Sequence, residues 1–146
     1  MRIFKRRSWG ELRVAAVALV ALPVTRLALR WMALPGVRRR LWRVLGASQP
    51  VSTARRLPMG RIVRCVIAAS KLSPVRPACL ATALVVQALL NRHGYQTELK
   101  IGVRNPASGA FSAHAWLEKD GVIVVGGPAS MIEQYQTLPA MEHLIA

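Results

Sequence analysis

The chain has 146 residues, 53% of them hydrophobic, with 21 Lys and Arg against six Asp and Glu. That length suits a single domain with a real core, and the hydrophobic content excludes a disordered chain. Two cysteines, Cys65 and Cys79, form no CxxC pair and have no histidine at ligand spacing, which argues against a structural metal site; no cofactor is expected.

The charge is uneven along the chain. Residues 1–76 hold 17 basic side chains against one acid, Glu11, whereas residues 77–146 hold four against five. Such a basic front suits nucleic acid, anionic lipid or an acidic protein. Its aromatics are only Phe4, Trp9, Trp31 and Trp42, too sparse for a base-stacking platform, so no specific nucleic acid is expected. The start, MRIFKRRSWGELRVAAVALVALPV, superficially resembles a signal peptide. The apolar run from Val14 to Val24 is only 11 residues, contains Pro23 and is followed by Arg26 and Arg30. A spanning helix needs about 20 apolar residues. The expectation is a cytoplasmic protein with peripheral membrane contact rather than a membrane span.

In chain order, residues 9–33 read as a helix. Ser8 is its N-cap and Glu11 completes a capping box, while Pro23 predicts a kink or a split. LPGVRRR at 34–40 reads as a break, 37–46 as a short basic helix ending at Gly46, and 46–52 as a loop from which Ser52 or Thr53 caps the next element. Residues 60–72 form an apolar helix in which Ile62, Cys65 and Val66 share a face, so Cys65 is a core residue. SPVRPA at 73–78 is a rigid, extended approach. Residues 79–92 are apolar on nearly every side and therefore buried on nearly every side; Gly94 is a left-handed C-cap.

The period then changes. TELKIGVR at 97–104 and AFSAHAWLE at 110–118 alternate as strands. Asp120-Gly121 signals a hairpin into VIVV at 122–125, and GGP at 126–128 stops that strand. The tail is mixed and holds a short helix. The fold class is α+β: N-terminal helices (1–72, an Arg-rich helical part) and a catalytic core (73–146) in which the buried cysteine-bearing helix packs on a small antiparallel sheet.

Cys79 opens the buried helix. Its first N–H groups lack internal partners and favour an anion. A thiolate there is a nucleophile, and the same N–H groups can receive an oxyanion. A cysteine nucleophile needs a base. His93 sits in an exposed-looking C-cap and His143 near the end of the chain; both read as ordinary. His114 shares a strand face with Ser112, Trp116 and Glu118, as a residue facing a cleft would. Cys79 and His114 are the predicted catalytic pair.

RPACLATALVVQALLNRHGYQTELKIGV followed by FSAHAWLEKDGVIVVG resembles the transglutaminase-like cysteine leader peptidases of lasso-peptide biosynthesis. The resemblance covers residues 74–128. Trp116, on the histidine's strand face, and Arg76 are candidates for the substrate cleft, with Trp116 packed against the tail as the alternative. The resemblance implies a papain- or transglutaminase-like fold, with the catalytic pair on Cys79 and His114. It also implies a division of labour. A separate small protein binds the leader of the precursor peptide, this protein removes that leader, and an ATP-dependent cyclase joins the freed amine of the core to a side-chain carboxylate. Two other readings of the residues stay open: an acyltransferase using the same pair, and a non-catalytic basic binding protein.

One feature departs from the family pattern, which places an orienting Asp on the strand after the histidine strand. A plain two-residue hairpin sets Lys119 opposite Val122, Glu118 opposite Ile123, Trp116 opposite Val125 and His114 opposite Gly127. The carboxylate position then falls at about Gly126 or Gly127, both glycines. Asp120 lies about 20 Å along the strand and Glu118 about 13 Å. No third residue is assigned; a backbone carbonyl, a water or Glu133 are the candidates for orienting the ring.

Overall fold

The computed structural model of the chain describes residues 8–46, 50–73, 78–107 and 109–139. Arg76 and His143 lie outside the described residues.

Helix α1 (Trp9–Trp31) begins at the expected capping box. The Glu11 N–H donates to Ser8 Oγ at 3.3 Å and the Ser8 N–H to the Glu11 carboxylate at 2.9 Å, satisfying two N-terminal donors. Pro23 does not split the helix. Its missing N–H frees the carbonyl of Leu19, a residue on the solvent side, where water can replace the lost bond. Ala18 and Leu22, fully buried on the opposite side, anchor the helix in the core. The expected break at 34–40 is also corrected. Helix α2 (Leu34–Leu41) starts right after Ala33, and the chain is extended only at the Met32–Ala33 junction. Pro35 sits in the first turn, where a missing N–H costs nothing. One wide turn, Trp42–Gly46, follows α2 and ends at the expected glycine.

Helix α3 (Met59–Leu72) and helix α4 (Cys79–Arg92) match the apolar periods of the sequence. Leu22, Ile62, Val66, Val86 and Leu90 are completely buried, and with Leu117 from the sheet they join α1, α3 and α4 in one core. Each contributes about 1.5–3 kcal/mol of apolar burial. Cys65 belongs to this core, and both cysteines are unbridged. The parts on either side of residue 72 thus share one hydrophobic centre.

The end of α4 holds a second correction. His93 is its C-cap residue but is only 6% exposed. The Leu57 N–H donates to its Nδ1 at 3.2 Å, and Tyr95 Oη donates to the Leu57 carbonyl at 3.1 Å. A segment some 35 residues upstream therefore closes over the ring, which sequence spacing could not reveal. Burial, then Arg92, then Arg56 hold the His93 pKa below its usual value. Gly94 adopts the expected positive φ of 85°.

The sheet is antiparallel with order β3-β2-β1-β4. Strand β1 (Glu98–Arg104) pairs β2 (Ser112–Lys119) with Gly102 opposite His114. Asp120 (φ 52°) and Gly121 (φ 77°) form the tight turn into β3 (Val122–Val125), as a two-residue hairpin requires. The plain register holds for Lys119–Val122 and Glu118–Ile123 and then slips: Val125 lies opposite Leu117, not Trp116. This bulge puts one extra residue, Val124, on β3. The tail forms a one-turn helix α5 (Ala129–Ile132) and a short strand β4 (Gln136–Thr137) on the outer edge of β1.

By length and composition α1 could cross a bilayer. Its most apolar 18-residue window has a mean hydropathy of 1.9, with 28% of it buried in the fold. The 11-residue apolar run in the sequence, Val14–Val24, ends before Thr25 and Arg26, whereas α1 as a whole is 23 residues long.

Candidate active site

Cys79 is the first residue of α4, after Ala78, which caps the helix through its backbone alone. The first helical hydrogen bond of this turn runs from the Thr82 N–H to the Ala78 carbonyl at 3.0 Å. The N–H groups before it have no partner inside the helix, so the Cys79 sulfur, half-buried, sits at the positive end of a 14-residue dipole. Helix α4 packs against β2, the strand that carries His114.

His114 is held from three sides. Its Nε2 lies 2.5 Å from the Gly126 carbonyl oxygen. Trp116 stacks beside the ring at 6.2 Å between centroids and 20° between planes, and Tyr135 lies at 5.4 Å, tilted by 35°. Tyr135 is itself fixed. Ser112 Oγ donates to its hydroxyl at 3.3 Å, and the Arg104 guanidinium lies 5.3 Å from its ring centroid while donating to Gln134 Oε1.

The Gly126 contact sets the ring's chemistry. A carbonyl oxygen only accepts, so Nε2 carries the proton. In the neutral imidazole Nδ1 then holds the lone pair. That is the atom a proton-bearing thiol would meet. The orienting group near the glycine pair is therefore a main-chain carbonyl, one of the candidates the sequence left open; Glu133 is exposed and does not bond the ring.

Gly126 must be glycine. Its φ is 128°, and a Cβ there would stand 2.3 Å from Trp116 Cβ and 2.9 Å from Trp116 Cα. Across the sheet, a Cβ on Gly102 would meet Trp116 ring atoms at 2.9 Å and Tyr135 Cβ at 2.8 Å. Gly102 makes room for the indole that backs His114, and Gly126 for the Cα and Cβ that carry it. Trp116 is correspondingly 1% exposed, with Nε1 donating to Glu118 at 2.8 Å. It is a packing residue behind the histidine, which corrects its placement in the substrate cleft. Sequence alternation correctly put it on the histidine's face but could not show that the tail covers that face.

Among the described residues no hydrogen bond links the Cys79 thiol to His114, whose ring bond goes to Gly126. No group of three or more potential metal ligands occurs among them either. Tyr135 had no signal in the sequence beyond being an aromatic in a polar tail.

No curated protein and no solved structure matches the chain. A family match does, and it spans residues 16–140, from α1 through β4. The cysteine at the start of a buried helix and the clamped histidine on the adjoining antiparallel sheet fall inside that span, and the chain belongs to the transglutaminase-like superfamily.

Proposed function

We propose that this protein is a cysteine peptidase of lasso-peptide maturation that removes the leader from the precursor peptide. Members of its superfamily are typically cysteine-dependent peptidases or acyltransferases. The observation that carries the reading is the His114–Gly126 contact, which fixes the ring in place and, in the neutral imidazole, puts the lone pair on Nδ1. The resemblance of the cysteine-helix and HAW segments to leader peptidases supports the finer assignment.

In the working state the Cys79 thiol comes within bonding reach of His114 Nδ1; such contacts are often long before substrate binds. Nδ1 takes the thiol proton, and Sγ attacks the carbonyl carbon of the last leader residue. The N–H of Cys79 stabilises the oxyanion. Collapse breaks the C–N bond, and the amine leaves with the proton from His114. Water then hydrolyses the thioester, releasing a leader carboxylate and restoring the thiol. The core peptide departs with a free α-amine for an ATP-dependent cyclase. A separate leader-binding protein presents the precursor, in the cytoplasm.

The test is cleavage of a precursor by the wild type, Cys79→Ala and His114→Ala, with the leader-binding partner present. Loss of cleavage in both variants supports the assignment; full activity in either overturns it. Mass spectrometry distinguishes hydrolysis, which gives free core peptide, from acyl transfer, which gives an amide.

A further inference from the structure

The outward side of α1 is an apolar stripe with no fold partner among the described residues. Trp9 (84% exposed), Val20, Val24, Leu27 and Trp31 (82% exposed) stand in solvent. They recur at helical spacing, so they share one face with Leu12, Ala16 and Leu19. Arg13 and Arg30 lie on this face near its two ends. Along one flank it continues into an open groove of about 600 Å³ between α1, α2 and the turn after α2, walled by Val17, Val20, Val24, Ala28, Leu41 and Leu45. Val44 is exposed at its lip, and Arg40 contributes to the wall.

We propose that this face seats the protein on an anionic phospholipid surface, with α1 lying in the plane of the headgroups. Three observations select lipid over a protein helix as occupant. The stripe between Arg13 and Arg30 offers only Ala16, Leu19, Val20, Pro23, Val24 and Leu27; none of these side chains can hydrogen-bond, whereas a protein interface carries about one hydrogen bond per 100–200 Å². Acyl chains need none. Exposed tryptophans cap both ends of a helix about 33 Å long, as amphipathic rings do at headgroup level. Arg13, Arg30 and Arg40 lie at the stripe and its groove, and residues 1–76 as a whole hold 17 basic side chains against one acid, the composition that anionic headgroups attract.

The fold also fixes the mode. The inner side of α1 (Val14, Ala18, Ala21, Leu22) belongs to the core with α3 and α4, so lipid can reach one side only. The helix lies on the bilayer and does not span it. This inference stands apart from the proposed chemistry, because it uses neither Cys79 nor His114.

The experiment is sedimentation of the full-length protein with vesicles of phosphatidylglycerol mixed into phosphatidylcholine, and with pure phosphatidylcholine vesicles. Binding to the anionic vesicles at least tenfold stronger than to the neutral ones is expected, together with a blue shift in tryptophan emission. The double variant Val24→Glu/Leu27→Glu, substituted only at exposed positions, should lose binding at least tenfold while keeping the wild-type circular dichroism; Cys79→Ala should bind like wild type. Brominated phosphatidylcholine in the anionic vesicles should quench the wild-type emission, a readout that does not depend on how the variants fold. No binding to anionic vesicles overturns the proposal, as does binding that the double variant retains. Wild-type protein that ignores vesicles but loses the leader-binding protein upon Val24→Glu/Leu27→Glu would make the face a protein interface and overturn it equally.

Discussion

Replacing Gly126 with alanine should be the costliest single-methyl addition at the glycines of the β2–β3 region. The new Cβ would lie 2.3 Å from Trp116 Cβ and 2.9 Å from its Cα, at a φ of 128°. Neither contact is the far end of a flexible side chain, so the strands themselves must part. The unfavourable backbone conformation costs about 1–3 kcal/mol and the overpacking about 1–3 kcal/mol more, or roughly 4 kcal/mol together. With a urea slope of about 2 kcal/mol/M, the unfolding midpoint should fall by about 2 M. Gly121→Ala is the control. Its φ is also positive, at 77°, but a Cβ there meets nothing within 4 Å, so only about 1–2 kcal/mol of backbone strain applies and the midpoint should fall by less than about 1 M. Gly126→Ala should also pull its carbonyl away from His114 Nε2, which nitrogen-15 NMR of the imidazole reads as a lower population of the Nε2–H tautomer. Equal midpoints for the two variants would refute the argument that Trp116 excludes a side chain at 126.

Other consequences are as direct. His93 is neutral in the fold because burial, Arg92 and Arg56 lower its pKa from 6.5. The unfolded chain therefore binds the extra proton first, and stability should fall as pH drops below about 6.5 and through the lowered folded value. His93→Gln, which can still accept from the Leu57 N–H, should flatten that slope relative to wild type in urea titrations across pH. Cys79, half-buried, should react with iodoacetamide far faster than the core residue Cys65. If His114 serves as its base, His114→Ala should slow that alkylation; an unchanged rate would show that ring and thiol do not communicate. Cys65→Ala should cost about 1 kcal/mol of stability and leave precursor cleavage intact. Tyr135→Leu should lower kcat with little change in KM by loosening the His114 ring, and Tyr135→Phe, which keeps the ring contact, should restore most of it.

Local signals carried most of the fold. The capping box at Ser8, the apolar periods of α3 and α4, and Asp120-Gly121 each specify their element through neighbours a few residues away, and each falls within a residue or two of expectation. Errors arose where a distant segment decides. Leu57 buries His93, and the tail that pairs Gln136 and Thr137 with β1 covers the face of Trp116. Pro35 was ambiguous for a different reason, since the same residue breaks a helix or begins one according to where the preceding extended residue falls. At the site, alternation put His114 and Trp116 on one strand face, and hairpin pairing put the carboxylate that the resemblance implies at about Gly126 or Gly127; it is the Gly126 carbonyl that meets the ring. The identity of the carboxylate's replacement was not legible, because a carbonyl leaves no mark in a sequence.

That replacement has a consequence for the proposed chemistry. A carboxylate behind a catalytic imidazole both fixes its tautomer and balances the charge it gains on protonation. The Gly126 carbonyl fixes the tautomer but carries only a partial charge, and Trp116 bars any side chain from position 126. The imidazolium formed from His114 must then be balanced by the thiolate, which the N-terminal N–H groups of α4 stabilise in turn. In the proposed mechanism each charge depends on the other, so cysteine and histidine would act as one unit. Residues that do so lose nearly everything on the first deletion. The double variant Cys79→Ala/His114→Ala should therefore cleave no more slowly than either single variant, and independent, multiplying losses would mean that the two side chains do not work as a pair.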